Sequence, residues 1–372
     1  MSATVMHVAG ARPNFPKLAP VHAALAQRGV RQVLLHTGQH YDDRMSEVFF
    51  TELRLPRPDV NLHVGSDSHA RQTAAIMVGL EEHIVAVKPS IVLVYGDVNS
   101  TLAAAVVAAK LRVPIGHVEA GLRSFDRSMP EEVNRVLTDQ VSDLLFATSP
   151  EAVDHLRREG VAPSRIHFVG NPMIDTLLGH LARMDPAIVR TPLLTELGIT
   201  GPYLLATLHR PANVDDPAAA RASVQTLHAL ADRAAVVLPL HPRGRATLGA
   251  AGLLDHPGVH VLDPLGYTDF IALLAGARAV ITDSGGVQEE ATVLRTACLT
   301  LRPNTERPVT VSHGTNRLVS PDTVEAVLDE VLSQPPDPVG PPLWDGHAGE
   351  RIAEVLVDWL ADPSRGGGLG GP

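Results

Sequence analysis

Short apolar runs rich in Val and Ile recur through this chain, each followed by a stretch with helical spacing. In the first half the runs cover residues 4–9, 32–36, 91–95, 115–118, 144–147 and 166–169. Helical patterns lie near residues 17–27, 43–52, 69–86, 100–110, 131–141 and 150–159. A strand that returns through a helix runs parallel to its predecessor, and unbroken apolar runs suit strands buried on both faces. A second cycle opens after Gly170-Asn-Pro-Met, with strands at 203–207, 235–239, 259–262, 279–282 and 298–301. This grammar predicts an α/β fold of two Rossmann-like domains facing across a central cleft. The first domain is expected over residues 1–169 and the second over 170–345. The proline-rich run from Pro335 to Pro342 reads as a stiff linker. A helix within residues 346–362 is expected to cross back onto the first domain, ahead of a disordered glycine-rich tail at 363–372.

Hydrophobic residues make up 45% of the 372 and aromatics only 3%, so Ala, Val and Leu must fill two cores. The net charge is −10 and no basic block is present, which argues against a nucleic-acid partner. Cys298 is the only cysteine and lies in an apolar run, so no internal disulfide or CxxC site can form. No run approaches the roughly 20 apolar residues of a membrane span, and the N-terminus lacks a signal pattern. No membrane association and a cytoplasmic location are expected.

In open parallel sheets, ligands bind beyond the carboxyl ends of the strands. Asp97 follows the run 91–95, Glu119 follows 114–118, and Glu131 stands at a helix start. Acids gathered at that edge point to chemistry. Arg12 and Lys17 lie where the first strand turns into its helix, placed to meet anionic oxygens by side chain. The segment lacks the repeated glycines of a dinucleotide fingerprint. Thr282-Asp-Ser-Gly-Gly-Val-Gln-Glu-Glu ends a strand and opens a helix, with Gly285 and Gly286 allowing close backbone approach. That geometry suits a diphosphate, with Glu290 one turn in and able to accept from ribose hydroxyls. The competing reading makes Ser284 a helix cap and the two glutamates complements to its dipole. His209 and His241 both follow strands in the second half, and no histidine spacing suggests a metal.

Taken together, Gly10-Ala-Arg-Pro, Lys17-Leu-Ala-Pro, Thr37-Gly-Gln-His-Tyr-Asp, Tyr95-Gly-Asp and Gly116-His-Val-Glu-Ala-Gly-Leu-Arg carry a family resemblance. So do Pro130-Glu-Glu-Val-Asn-Arg, Leu208-His-Arg-Pro, the 282–290 segment and Thr305-Glu-Arg-Pro. In this order they resemble the non-hydrolysing UDP-N-acetylglucosamine 2-epimerase family. The resemblance implies a GT-B-like nucleotide-sugar fold, a UDP-sugar substrate, no cofactor or metal, and a homodimer. By matching motif it makes Asp97, Glu119 and Glu131 the catalytic carboxylates, with Lys17 and His209 beside the diphosphate and sugar. Arg12, His241, Ser284, Gly285, Gly286, Glu290 and Arg307 would hold UDP. Gln39, His40 and Arg71 fall in the region of a second, activating UDP-GlcNAc site. Two departures stand out: Asn14 and Ala212 replace the Glu that usually follows Arg-Pro and His-Arg-Pro.

The implied reaction is reversible C2 epimerisation of UDP-GlcNAc to UDP-ManNAc. UDP leaves by anti elimination, a 2-acetamidoglucal forms, and UDP adds back. Three alternatives stay open: a hydrolysing epimerase releasing ManNAc and UDP, a glycosyltransferase of the same fold, and a non-catalytic UDP-sugar sensor. An oxidised or diacetamido UDP-sugar would suit the same framework.

Overall fold

The computed structural model describes residues 3–38, 50–240 and 242–362. The chain separates into two compact units. The first contains the chain up to Leu178 together with the segment from Pro342, and the second contains Gly179–Pro341.

The first unit is built on strands β1 (Thr4–Ala9), β2 (Arg31–His36), β3 (Val60–Asn61), β4 (Ile91–Tyr95), β5 (Ile115–Ala120), β6 (Leu144–Ala147) and β7 (Ile166–Phe168). All pair in parallel, in the order β3-β2-β1-β4-β5-β6-β7. Its crossovers include α1 (Phe15–Gln27), α2 (His69–Val87), α3 (Asn99–Lys110), α4 (Pro130–Val141) and α5 (Pro150–Arg158). Helix α6 (Pro172–Leu181) spans the division between the units.

The second unit repeats the plan with β8 (Tyr203–Thr207), β9 (Ala235–Pro239), β10 (Val259–Leu262), β11 (Ala279–Thr282), β12 (Ala297–Leu301) and β13 (Asn316–Val319). These are again parallel, ordered β10-β9-β8-β11-β12-β13. Helices α7 (Pro186–Glu196), α8 (Pro211–Val214), α9 (Pro217–Ala231), α10 (Pro242–Ala250), α11 (Tyr267–Gly276), α12 (Gly285–Leu294), α13 (Val309–Ser312) and α14 (Val324–Ser333) surround them. In each sheet the strand order reverses once, between β1 and β4 and between β8 and β11. Both units are therefore doubly wound and Rossmann-like.

Every residue of β1, β4 and β5 is buried, as expected for central strands covered on both faces. Helix α3 turns Ala103, Ala104, Ala105 and Ala108 toward Met6, Val8, Val92 and Val94. Small side chains let the helix backbone approach the sheet, which is how a chain poor in aromatics still packs densely. No helix among the described residues is long and apolar enough to cross a membrane.

The expected strands are all present, shifted by at most two residues. Strands β3 and β13, and helices α6, α7, α13 and α14, were not anticipated. The expected helix at 43–52 and the tail at 363–372 lie largely or wholly outside the described residues. The division falls at 178/179 and 341/342 rather than at 169/170 and 345/346. The reason is polar anchoring. Thr176 donates to the Pro16 carbonyl at 2.6 Å, and the Trp344 indole donates to the Thr148 carbonyl at 2.9 Å. Gly170, at φ +85°, sits where a Cβ would come within 2.1 Å of the Leu343 carbonyl oxygen.

The last helix, α15 (Ala348–Ala361), packs on α1, where a Cβ on Gly349 would lie 2.7 Å from the Pro20 carbonyl carbon. Its first turn is served from α6: the Asp175 carboxylate accepts from the Ala348 and Gly349 amides at 3.1 and 2.7 Å. Burial pushes this carboxyl up to about 6, against the two amide bonds that favour its charge. Asp175→Ala strands both amides and should cost about 1 kcal/mol, the usual worth of a helix cap. Asp175→Asn keeps an acceptor without the buried charge and should cost less. Urea unfolding of the two variants above pH 6 checks the ranking; equal stabilities would remove the cap.

Candidate active site

The loops after β1 and β4 leave the first sheet at its reversal of order. After β1 the chain passes Gly10, where a Cβ would meet Ser100 Oγ at 2.0 Å, and enters a 3-10 turn at Arg12–Asn14. Asn14 is buried, and its Oδ1 accepts from the Gly10 and Ala11 amides, each at 3.0 Å. Its Nδ2 donates to the Tyr95 carbonyl at 2.7 Å, tying this loop to the end of β4. A carboxylate could accept the first two bonds but could not give the third. The departure at Asn14 therefore carries a structural bond that holds Arg12, which is half-buried, and Lys17 over the strand ends.

Lys17 is buried and its ammonium contacts the Glu119 carboxylate. Glu119 has φ +75°, rare for a residue with a side chain, and stands in a β-bulge between Val118 and Ala120. Such bulges re-aim a side chain. Gly96 leaves room for the pair, since a Cβ there would lie 3.1 Å from both Lys17 Nζ and Glu119 Oε2. One residue on, the Asp97 carboxylate accepts from Arg135, and the Asn134 amide donates to the Asp97 carbonyl at 2.9 Å. Arg135 is buried and bonds Glu132 at 2.9 Å. Glu132 in turn accepts from the Ser124 amide and hydroxyl and the Phe125 amide at 2.9, 3.0 and 3.0 Å.

Lys17, Asp97 and Glu119 are thus gathered around the turn at Gly96. Glu131 is half-buried on α4 and has no hydrogen bond or ion pair among the described residues. Sequence reasoning passed over Glu132 and Arg135. The tandem Glu131-Glu132 and the Arg one turn later were the available signal, because a helix buries only one of two adjacent acids.

In the second unit, Asp283 follows β11 and is fully buried. It accepts from the His209 amide at 3.0 Å, the Arg210 amide at 2.9 Å and Asn213 Nδ2 at 3.0 Å, and meets His209 Nδ1 at 2.9 Å. Burial alone would raise its carboxyl; the bonds from His209, Asn213 and Arg210 outweigh it and hold the group below the usual range. The Asp283 carboxylate thereby fixes the orientation of a half-exposed imidazole. Asp283 was quoted within its motif but given no role. Ala212, the second departure, is exposed on α8, while its neighbour Asn213 carries the bond to Asp283.

Ser284 occupies the N-cap of α12, yet its side chain makes no capping bond. This disfavours the reading of Ser284 as a simple cap. Gly285 lies against the Arg307 guanidinium, which a Cβ there would displace. Arg307 is itself held by Glu289 at 2.9 Å, and Arg302 binds Glu306 through two bonds of 3.0 and 2.8 Å. Cys298 is buried in β12, where burial pushes its thiol up to about 12. Arg71 is exposed in the first turn of α2. Gln39, His40 and His241 lie outside the described residues.

Glu290 is buried on α12, and its carboxyl is pushed from 4.5 up to about 8, by burial first and by neighbouring Glu289, with a Tyr267 bond opposing. The unfolded chain releases this proton near 4.5 and the folded chain near 8. Its contribution to stability is therefore whole below pH 4.5 and is lost as pH rises through 8. Glu290→Gln should flatten that decline. Denaturant titrations across the interval from pH 4.5 to pH 8 test this; an unchanged slope would contradict it.

Comparison with known proteins supplies the family. A sequence profile described as UDP-N-acetylglucosamine 2-epimerase matches residues 23–357. The UDP-N-acetylglucosamine 2-epimerase of Methanocaldococcus jannaschii is 39% identical over 358 residues, covering 94% of this chain and 98% of that one. A Pseudomonas aeruginosa protein named UDP-2,3-diacetamido-2,3-dideoxy-D-glucuronate 2-epimerase is 41% identical, covering 95% and 99%. A crystal structure of the M. jannaschii enzyme in complex with UDP-GlcNAc and UDP superposes with a TM-score of 0.86 at 38% identity, covering 95% and 99%. With a profile match over most of its length and relatives aligned end to end, the chain belongs to the UDP-N-acetylglucosamine 2-epimerase family.

Proposed function

We propose that this chain is a non-hydrolysing epimerase that interconverts UDP-GlcNAc and UDP-ManNAc. The carrying observation is the group of carboxylates at Gly96: Glu119 paired with buried Lys17, and Asp97 paired with buried Arg135. C2–H of the sugar is not adjacent to a carbonyl and is not acidic in the ground state. As the C1–O bond to UDP breaks, oxocarbenium character at C1 acidifies it. One carboxylate takes the C2 proton while the bond electrons form the C1–C2 double bond, and UDP departs with the C1–O electrons. A proton delivered to the opposite face of C2, with UDP returning to C1 on the face it left, completes the inversion at C2 alone. Acid and base groups must reach both faces, and Asp97, Glu119 and Glu131 are assigned to them.

The leaving-group role is assigned to residues of the second unit. Ser284, Gly285 and Gly286 open α12 with its first-turn amides, and His209 is oriented by Asp283. Arg12 and Arg307 add positive charge for the diphosphate. A neutral Glu290 carboxyl can both accept from and donate to ribose hydroxyls, which a carboxylate cannot do. Nothing in this scheme calls for a nicotinamide or a metal.

One observation favours a second reading of the substrate. The P. aeruginosa relative, 41% identical, is named for a diacetamido glucuronate sugar. The same elimination would serve that UDP-sugar, since its C2 bears the same substituents.

Purified protein incubated with UDP-GlcNAc and no added cofactor should give UDP-ManNAc by NMR. Release of free ManNAc with UDP would assign the hydrolysing reaction, and turnover of only the diacetamido uronate would assign the second substrate. Asp97→Asn, Glu119→Gln and Glu131→Gln should each retain UDP binding and lose about 10²–10⁴-fold in kcat, the usual worth of a general acid or base. Near-normal kcat in all three would remove them from the mechanism.

A further inference from the structure

Two histidines lie fully buried in the first sheet, His7 on β1 and His117 on β5. Their partners differ in kind. His7 Nδ1 is 2.6 Å from the Tyr95 hydroxyl and Nε2 is 2.8 Å from Gln32 Oε1. An amide oxygen only accepts, so Nε2 carries the proton and Nδ1 accepts from the tyrosine. That ring is neutral, and burial first, then His22, push its pKa down to about 3.

His117 has no such donor. Its Nδ1 is 2.6 Å from Asp139 Oδ1 and its Nε2 is 2.8 Å from the Gly96 carbonyl oxygen. A carbonyl only accepts, so Nε2 must carry a proton. The remaining proton lies between Nδ1 and Asp139. The other carboxylate oxygen of Asp139 already takes two donors, Arg123 Nη2 at 2.7 Å and the Gly121 amide at 3.1 Å. These favour the ionised carboxylate. Burial would raise the Asp139 carboxyl, and His117 and Arg123 more than offset it, leaving it below the usual range. The charges around the ring balance, because Arg123 is also bound by Glu159 at 2.6 Å.

We propose that His117 is a buried imidazolium and the positioning residue on which both carboxylate turns hang. One N–H fixes the Gly96 carbonyl, immediately before Asp97. The other fixes Asp139, which holds the Gly121 amide just beyond the Glu119 bulge. Gly96 is held from its other side by its own amide, which donates to the Val118 carbonyl at 3.0 Å. One cation thus sets Asp97 and Glu119 relative to each other, and the left-handed backbone at Glu119 is kept in place by these outside bonds. This rests on the assignment of Asp97 and Glu119 to catalysis.

The test reads the ring directly. In full-length protein with 15N-labelled histidine, at neutral pH and without ligand, His117 is assigned by its absence from the His117→Gln spectrum. Both of its nitrogens should show directly bonded protons. A nitrogen with a free lone pair at His117 overturns the imidazolium, whatever any variant does.

The second arm is kinetic. His117→Gln can donate to only one of the two acceptors, and Asp139→Asn removes the charge that holds the second proton. Each should lower kcat by about 10²-fold, the scale of an ångström-size misplacement of reacting groups, with UDP affinity and the KM of the UDP-sugar within about 3-fold of the parent. Full kcat in folded variants overturns the positioning role. Should the Asp97→Asn and Glu119→Gln variants stay active while the ring is doubly protonated, the catalytic assignment fails and the imidazolium stands. A variant that does not fold leaves the labelled parent protein to decide.

Discussion

Parallel strands must be joined by crossovers of one hand, so a sheet that grows outward in both directions from its centre sends its two central crossovers to opposite faces. The loops leaving those two strands therefore diverge, and no helix covers the gap between them. In this chain that constraint acts twice, at β1/β4 and at β8/β11. The residues released at those four strand ends are Arg12 and Lys17, Gly96 and Asp97, His209 and Arg210, and Asp283 and Ser284. Sites of this kind need no special device to collect polar groups. What they need is a way to keep charged side chains buried and fixed.

Charge pairing provides it. Lys17 with Glu119, Arg135 with Glu132, Arg123 with Asp139, and Arg302 with Glu306 are buried on both sides, while Asp97 and Glu159 meet Arg135 and Arg123 from more exposed positions. An isolated charge in such a place would cost several kcal/mol, so removing one partner of a pair is far more damaging than the pair is stabilising. The return for this cost is preorganisation, since dipoles and charges that are already aimed need not reorganise as charge develops on a substrate. Backbone donors contribute as well, at Glu132 and Asp283, where two amides each join the side-chain donors.

Much of this was legible in the sequence, and what was missed has physical causes. The long Val- and Ile-rich strands announced themselves because parallel central strands have no polar face. Strand β3 has two residues, and β13 reads Asn-Arg-Leu-Val, so neither carries an apolar run. Helix α7 contains Pro192 and buries none of its residues fully, which erases the usual periodicity. Residue type and strand position were enough to single out Lys17, Asp97, Glu119 and His209 as candidates, and folding places the first three around Gly96. The partners Glu132, Arg135, Asp139 and Asp283 are defined only by folding, which brings β5 against α4 and β8 against β11. Asn14 looked like a lost carboxylate and proved to be a buried donor, because a hydrogen-bond requirement cannot be read before its acceptor is known.

In the proposed reaction, C2 is inverted by proton exchange at the carboxylates while UDP leaves and returns. Turnover of UDP-GlcNAc in D₂O tests it most directly, with NMR of the nucleotide sugars. Deuterium is expected at C2 of UDP-ManNAc and, through reversal, at C2 of recovered UDP-GlcNAc. Formation of UDP-ManNAc with its original C2 proton retained would contradict it.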